Sequence, residues 1–106
     1  MSNCRTFKDV LIENLKDPDL AKEYISSALE SYEEDKDSAA FLLALRDVAE
    51  ARGGLSKLAE RSHLNRQNLY KVFSGKGNPK LDTVETILHG LGFRLSIEAL
   101  PKRPSI

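Results

Sequence analysis

The chain has one cysteine, Cys4, among its 106 residues. It cannot close an internal disulfide, and a reducing, cytosolic setting is expected. No base that would activate the thiol accompanies it, so an inert side chain is the better reading than a nucleophile. Long apolar runs are missing too. Nothing approaches the roughly 18 residues that a membrane span needs, and no basic stretch leads into an apolar one as in a signal peptide. There are two histidines, His63 and His89, and neither has metal-ligand spacing. The acids at 30–37 do not follow a calcium-loop pattern. A glycine-rich phosphate loop and a Ser-His-Asp arrangement are likewise absent. No metal, cofactor or enzymatic activity is expected.

An excess of either charge is also lacking: 16 Lys and Arg stand against 16 Asp and Glu. Neutrality overall argues weakly against a polyanionic partner, but the charges are unevenly placed. Residues 1–50 carry 6 basic and 12 acidic side chains, and residues 51–106 carry 10 and 4. Between Leu55 and Lys80 the bases are Lys57, Arg61, Arg66, Lys71, Lys76 and Lys80, with Glu60 as the lone acid. Such a division can set a basic surface against phosphates while the acidic half faces elsewhere.

The basic stretch is also the best-organised one. Residues 55–75 read LSKLAERSHLNRQNLYKVFSG. Leu55, Leu58 and Ala59 recur at helical spacing, then Leu69, Val72 and Phe73 do so again. The second set shares its helix with an opposite face of Gln67, Tyr70, Lys71 and Ser74. A short helix held by one apolar face and showing a polar, basic one fits the recognition helix of a helix-turn-helix unit. Ala59 suits a close helix crossing, and Leu64 can plug the corner. Asn65 is a good N-cap, and Gly75 a helix stop. The blander alternative is an ordinary helix pair with a solvated face. On the DNA reading, Arg66, Gln67 and Lys71 reach base edges, since Arg can grip guanine and Gln adenine with two hydrogen bonds each. Asn68 and Tyr70 are second choices. Lys57, Asn65, Ser74, Lys76 and Asn78 are assigned to phosphates.

Around this core the chain reads as one domain over 1–106. Residues 1–17 form an N-terminal arm in which 7–16 can be a short helix or extended. Asp17-Pro18-Asp19 starts a helix that buries Ala21, Ile25, Ala28, Leu29 and Tyr32. Asp37 starts another, whose stripe is Phe41, Leu42, Leu45, Val48 and Ala49, with Arg46, Asp47 and Glu50 facing away. Those two helices fill 18–53, and the motif fills 54–75. A closing helix over 81–91 carries Leu81, Val84, Ile87, Leu88 and Leu91, and Gly90 or Gly92 ends it. Residues 93–99 alternate, with Phe93, Leu95, Ile97 and Ala99 on one side, which predicts a strand. Having no evident partner, it is expected to pair through Phe93, Leu95 and Ile97 across a two-fold axis with a second copy, or with a strand of another protein, or else with the 7–12 arm inside one chain. Residues 100–106 are tail. The fold class is all-α, with about five helices, an extra N-terminal helical segment and a short C-terminal β-strand.

Several segments together resemble a known family. They are Tyr24-Ile25-Ser26-Ser27-Ala28-Leu29, Ala44 through Gly53, Leu58-Ala59, Leu64 through Lys71, Ser74 through Pro79, Asp82-Thr83 and Leu91-Gly92. They are similar to the probable addiction-module antidote proteins, small antitoxins of the lambda-repressor-like, Xre-type helix-turn-helix superfamily. The resemblance implies a lambda-repressor-like bundle. It also implies a repressor that binds its own operator on double-stranded DNA; the lone cysteine suits a cytoplasmic setting, and a homodimer reading two half-sites would supply the affinity that one short helix lacks. That repressor would neutralise a small basic toxin similar to the RelE or ParE type, encoded beside it. Two positions depart from the family's habit. His63 stands where glycine is common in the turn, and Asn65 where Ser or Thr usually caps. Histidine tolerates a left-handed backbone better than most residues, so structural tolerance outweighs a DNA contact by His63. Two other readings stay open: a prophage-type regulator without a toxin, and a protein-interaction module that no longer binds DNA.

Overall fold

The computed structural model describes residues 6–74 and 78–100. Cys4, Gly75, Lys76, Gly77 and the 101–106 tail lie outside them. Six helices follow one another: α1 (Phe7–Asn14), α2 (Pro18–Asp35), α3 (Ser38–Ala51), α4 (Gly54–Ser62), α5 (Arg66–Phe73) and α6 (Leu81–Gly90). Among the described residues none of these is long and apolar enough to cross a membrane.

Most of the helix starts follow from side chains that accept from the free amides of the first turn. Thr6 and Asp9 form a capping box, with Asp9 N–H donating to Thr6 Oγ1 (3.1 Å) and Thr6 N–H to Asp9 Oδ2 (3.2 Å). The arm is therefore helical where the sequence left helix or extension open. Asp17 accepts from Asp19 N–H (2.8 Å) ahead of Pro18, and Asp37 from Ala39 N–H (3.1 Å). Gly53, at φ 112°, turns the chain from α3 into α4.

Helix α3 is the centre. It packs against α1, α2, α4 and α5, while α6 packs on α4. Phe41, Leu42, Ala44, Leu45, Val48 and Ala49 are all buried, and Ala39, Ala40, Leu43 and Arg46 form the exposed side. Ala21 and Ile25 of α2, Leu58 of α4, Leu69 and Phe73 of α5, and Ile87 and Leu88 of α6 complete the core. Each buried leucine or isoleucine contributes about 1.5–3 kcal/mol over an exposed one. Gly90 lets α6 lie close to α4. A Cβ there would sit 2.7 Å from Leu58 Cδ1 and 3.3 Å from Ser62 Cβ.

Two expectations are corrected. Asp47 does not face away: it is 7% exposed and accepts a hydrogen bond from Tyr24 Oη (2.8 Å) on α2. Helix α2 packs over this side of α3 and buries Asp47, while Arg46 stays exposed, and a buried carboxylate needs a donor. The second correction concerns residues 93–99. No strand forms there, nor elsewhere among the described residues. Phe93 is instead part of the end of α6. Its N–H donates to Leu88 O (2.8 Å), and Gly92 N–H, at φ 95°, donates to His89 O (3.0 Å). This is a Schellman closure, and the Phe93 ring packs on the core with it. Leu95 is 37% exposed and Ile97 98% exposed. The alternation thus marks no common buried face. The arm that might have paired inside the chain is helical. Phe93, Leu95 and Ile97 consequently form no dimer strand in this structure.

The Tyr24–Asp47 contact carries a stability prediction. Burial first, then the hydrogen bond and the charge of Asp47, push the Tyr24 hydroxyl from 10.0 up to about 12. A raised folded-state value stabilises the fold fully below pH 10 and is lost as pH rises through about 12. The melting temperature should therefore fall between pH 10 and 12 by a component that Tyr24→Phe lacks. At neutral pH, Tyr24→Phe strands the Asp47 carboxylate and should cost about 1–3 kcal/mol. Thermal melts of both proteins across that pH range check each statement.

Candidate nucleic-acid interface

Three residues, His63, Leu64 and Asn65, join α4 to α5. His63 ends α4 at φ 62° and ψ 20°, the left-handed conformation that redirects the chain. The turn is tied on both sides. Ser62, buried, donates from Oγ to Leu58 O (2.7 Å) and accepts from Leu64 N–H (3.4 Å). Asn65 Oδ1 accepts from Asn68 N–H (2.7 Å), capping α5. Leu64 is half-buried against the core.

Helix α5 has only eight residues, and isolated helices of that length do not hold in water. Its stability comes from Leu69 and Phe73, both buried, with Val72 half-buried beside them. Fixing that side leaves Arg66, Gln67, Asn68, Tyr70 and Lys71 on the surface. These are the five residues assigned to base edges from sequence, and no acid interrupts them within α5.

The phosphate set is more dispersed. Lys57 is exposed on α4 and lies 4.0 Å from Glu60 Oε1. An exposed pair at that distance is weak, so its ammonium can exchange partners. Asn65 is committed to the cap through Oδ1. Ser74 ends α5 and donates from Oγ to Lys71 O (2.7 Å). Asn78 accepts from Ser38 Oγ (3.3 Å), which ties its loop to the start of α3. Lys76 lies outside the described residues.

Sequence reasoning missed one contact within the face. Arg66 Nη2 donates to Tyr70 Oη (3.3 Å), and Arg66 Cζ lies 6.0 Å from the centroid of that ring. The i, i+4 spacing was the available signal.

Two substitutions test the turn. Left-handed backbone costs a residue with a Cβ about 1–2 kcal/mol, part of which glycine gives back through greater freedom in the unfolded chain. His63→Gly should therefore stabilise the protein by up to about 1 kcal/mol. Asn65→Ala should destabilise it by about 1 kcal/mol through loss of the cap. Urea unfolding of the two variants measures both.

Comparison with known proteins matches the region that builds this surface. Residues 7–99 fit the family described as probable addiction module antidote protein. A Haemophilus influenzae protein, itself described only as uncharacterized, is 32% identical over 93 residues, which cover 83% of this chain and 95% of that one. No solved structure matches the chain significantly. The matched span runs from the start of α1 past the close of α6, and so takes in the central helix, the tied turn and α5. On that span, the chain belongs to the family of probable addiction module antidote proteins.

Proposed function

We propose that this protein is a sequence-specific DNA-binding repressor and the antitoxin of a type II toxin-antitoxin pair. Family membership supports the antitoxin half. The single observation behind the DNA-binding half is α5. Its apolar side is buried, and its polar, basic side is exposed without an intervening acid.

On this reading α4–turn–α5 is a lambda-repressor-like, Xre-type helix-turn-helix, with α5 in the major groove. Arg66 pairs with guanine and Gln67 with adenine, while Lys71, and secondarily Asn68, add base contacts, with Tyr70 beside Arg66 on the same face. Lys57, Asn65, Ser74, Lys76 and Asn78 position the protein on phosphates. One short helix offers few contacts, so a homodimer reading two half-sites supplies the remaining affinity. The toxin is a small basic protein of RelE or ParE type. The acidic half of the chain, richest along α2, is the side that faces it, because opposite charge steers association.

The test is binding to the DNA just upstream of the protein's own gene, with the Arg66→Ala/Gln67→Ala double variant beside the wild type. Wild-type binding should weaken steeply as salt rises. Two lost bidentate contacts should lower affinity at least about 30-fold, while any complex with the toxin survives. Equal binding by variant and wild type would remove α5 as the reading element. No binding by the wild type alone or with its toxin would overturn the repressor reading.

A further inference from the structure

Tyr70 is the one aromatic side chain on the outward face of α5, and it is not idle there. Arg66 is the first residue of the helix and Tyr70 lies one turn on, so the two side chains are neighbours. The guanidinium donates through Nη2 to the phenol oxygen at 3.3 Å and sits 6.0 Å from the ring centroid. Both residues are exposed. An unrestrained arginine at a helix start samples many rotamers, and fixing it on binding costs entropy. Tyrosine has only two side-chain torsions to fix, which makes it an economical strut.

From this contact we infer that Tyr70 is a positioning residue. It aims the Arg66 guanidinium at a guanine of the bound DNA and so sets specificity at one base pair, without reading a base itself. The inference rests on the DNA-binding reading above. The donor count permits it. Arginine has five N–H donors, and the phenol uses one Nη2 hydrogen. The remaining hydrogen on Nη2 and those on Nη1 still form the two-pronged fork that matches guanine O6 and N7. The phenol oxygen can accept from Arg66 while its own hydrogen points to solvent or to a phosphate.

The probe is the duplex from upstream of the gene, together with copies in which each G·C pair is replaced in turn by A·T. Arg66→Ala first identifies the pair in question, as the position where the wild type discriminates and the variant does not. Tyr70→Phe is then measured on the same set; it keeps the ring and loses the oxygen. The expected result is a loss of discrimination at that one pair of about fivefold to tenfold. Discrimination at other positions and the salt slope should be unchanged. In the Arg66→Ala background Tyr70→Phe should have no further effect, because the two act as a unit. In the free protein, Tyr70→Phe should increase the mobility of the Arg66 side chain, seen in the NMR relaxation of its Nε–H group.

Other results overturn the inference in recognisable ways. Uniform weakening on every duplex, with discrimination at the Arg66 pair unchanged, would make Tyr70 a phosphate contact. Lost discrimination at a different pair would make it a direct reader. Tighter binding by Tyr70→Phe would mean that the phenol competes with guanine for Arg66. Unchanged binding and unchanged Arg66 relaxation would mean that the contact does nothing. Failure of the wild type to bind DNA would remove the repressor reading, and Tyr70's role with it. That failure shows before any variant is compared.

Discussion

The burial of α3 on nearly all sides is the constraint on which the rest depends. Phe41, Leu42, Ala44, Leu45, Val48 and Ala49 are buried, and the solvated side of the helix is confined to Ala39, Ala40, Leu43 and Arg46. It must be covered by several neighbours, and α1, α2, α4 and α5 each take part of the circumference. For α5 this is decisive. Eight residues cannot sustain a helix in water, so its existence rests on Leu69 and Phe73 being seated in that core. The same anchoring keeps its other face outward. Stability and presentation of the polar face are one event, reached by one set of contacts.

A helix with so narrow an exposed side cannot put every charge in water: Arg46 is exposed, but Asp47 is not. Asp47 shows how this is resolved. Its carboxylate, out of water, accepts from the Tyr24 hydroxyl on α2. A buried polar pair contributes little net stability compared with apolar packing, yet breaking one side of it is costly. Its effect is to penalise any arrangement of α2 on α3 that separates the two groups. Gly90 imposes a comparable condition on α6, since any side chain there would meet Leu58 and Ser62. Ser62 in turn holds Leu64. The packing of α6 is thereby linked to the turn that orients α5.

The proposed function uses both halves of an unevenly charged chain. A neutral protein gains nothing from long-range attraction to DNA as a whole. It must present bases locally, as α5 and Lys57 do, and keep its acids away from that surface. Those acids gather on α2, where Glu23, Glu30, Glu33 and Glu34 are exposed. Segregation of this kind suits a protein with two partners of different charge, a polyanion and a basic toxin. Membership of an antidote family points independently to the toxin among these partners.

Local chemistry was legible in the sequence because its causes are local. Asp17-Pro18, Asp37 and Asn65 mark helix starts through side chains that satisfy nearby amides, and the structure has each cap. The apolar spacing of Leu69, Val72 and Phe73 determined which side of α5 is buried, and hence that Arg66, Gln67, Tyr70 and Lys71 are exposed. His63 in the left-handed turn follows from the same reasoning about backbone sterics. Periodicity cannot report what lies on the far side of an element. The alternation in 93–99 looked like a strand, but the described residues contain no strand there, and Phe93 is used to close α6. Asp47 looked solvated because a helical stripe does not reveal how far round the helix a neighbour such as α2 reaches. The Arg66–Tyr70 contact required rotamers as well as spacing. The sequence by itself determined the helices, their caps and their apolar faces, which depend on residues within a turn or two. Only the tertiary structure decided that α3 is enclosed, that Phe93 closes α6 instead of starting a strand, and which polar groups meet. Those outcomes depend on residues distant in the chain being brought within a few ångströms of one another.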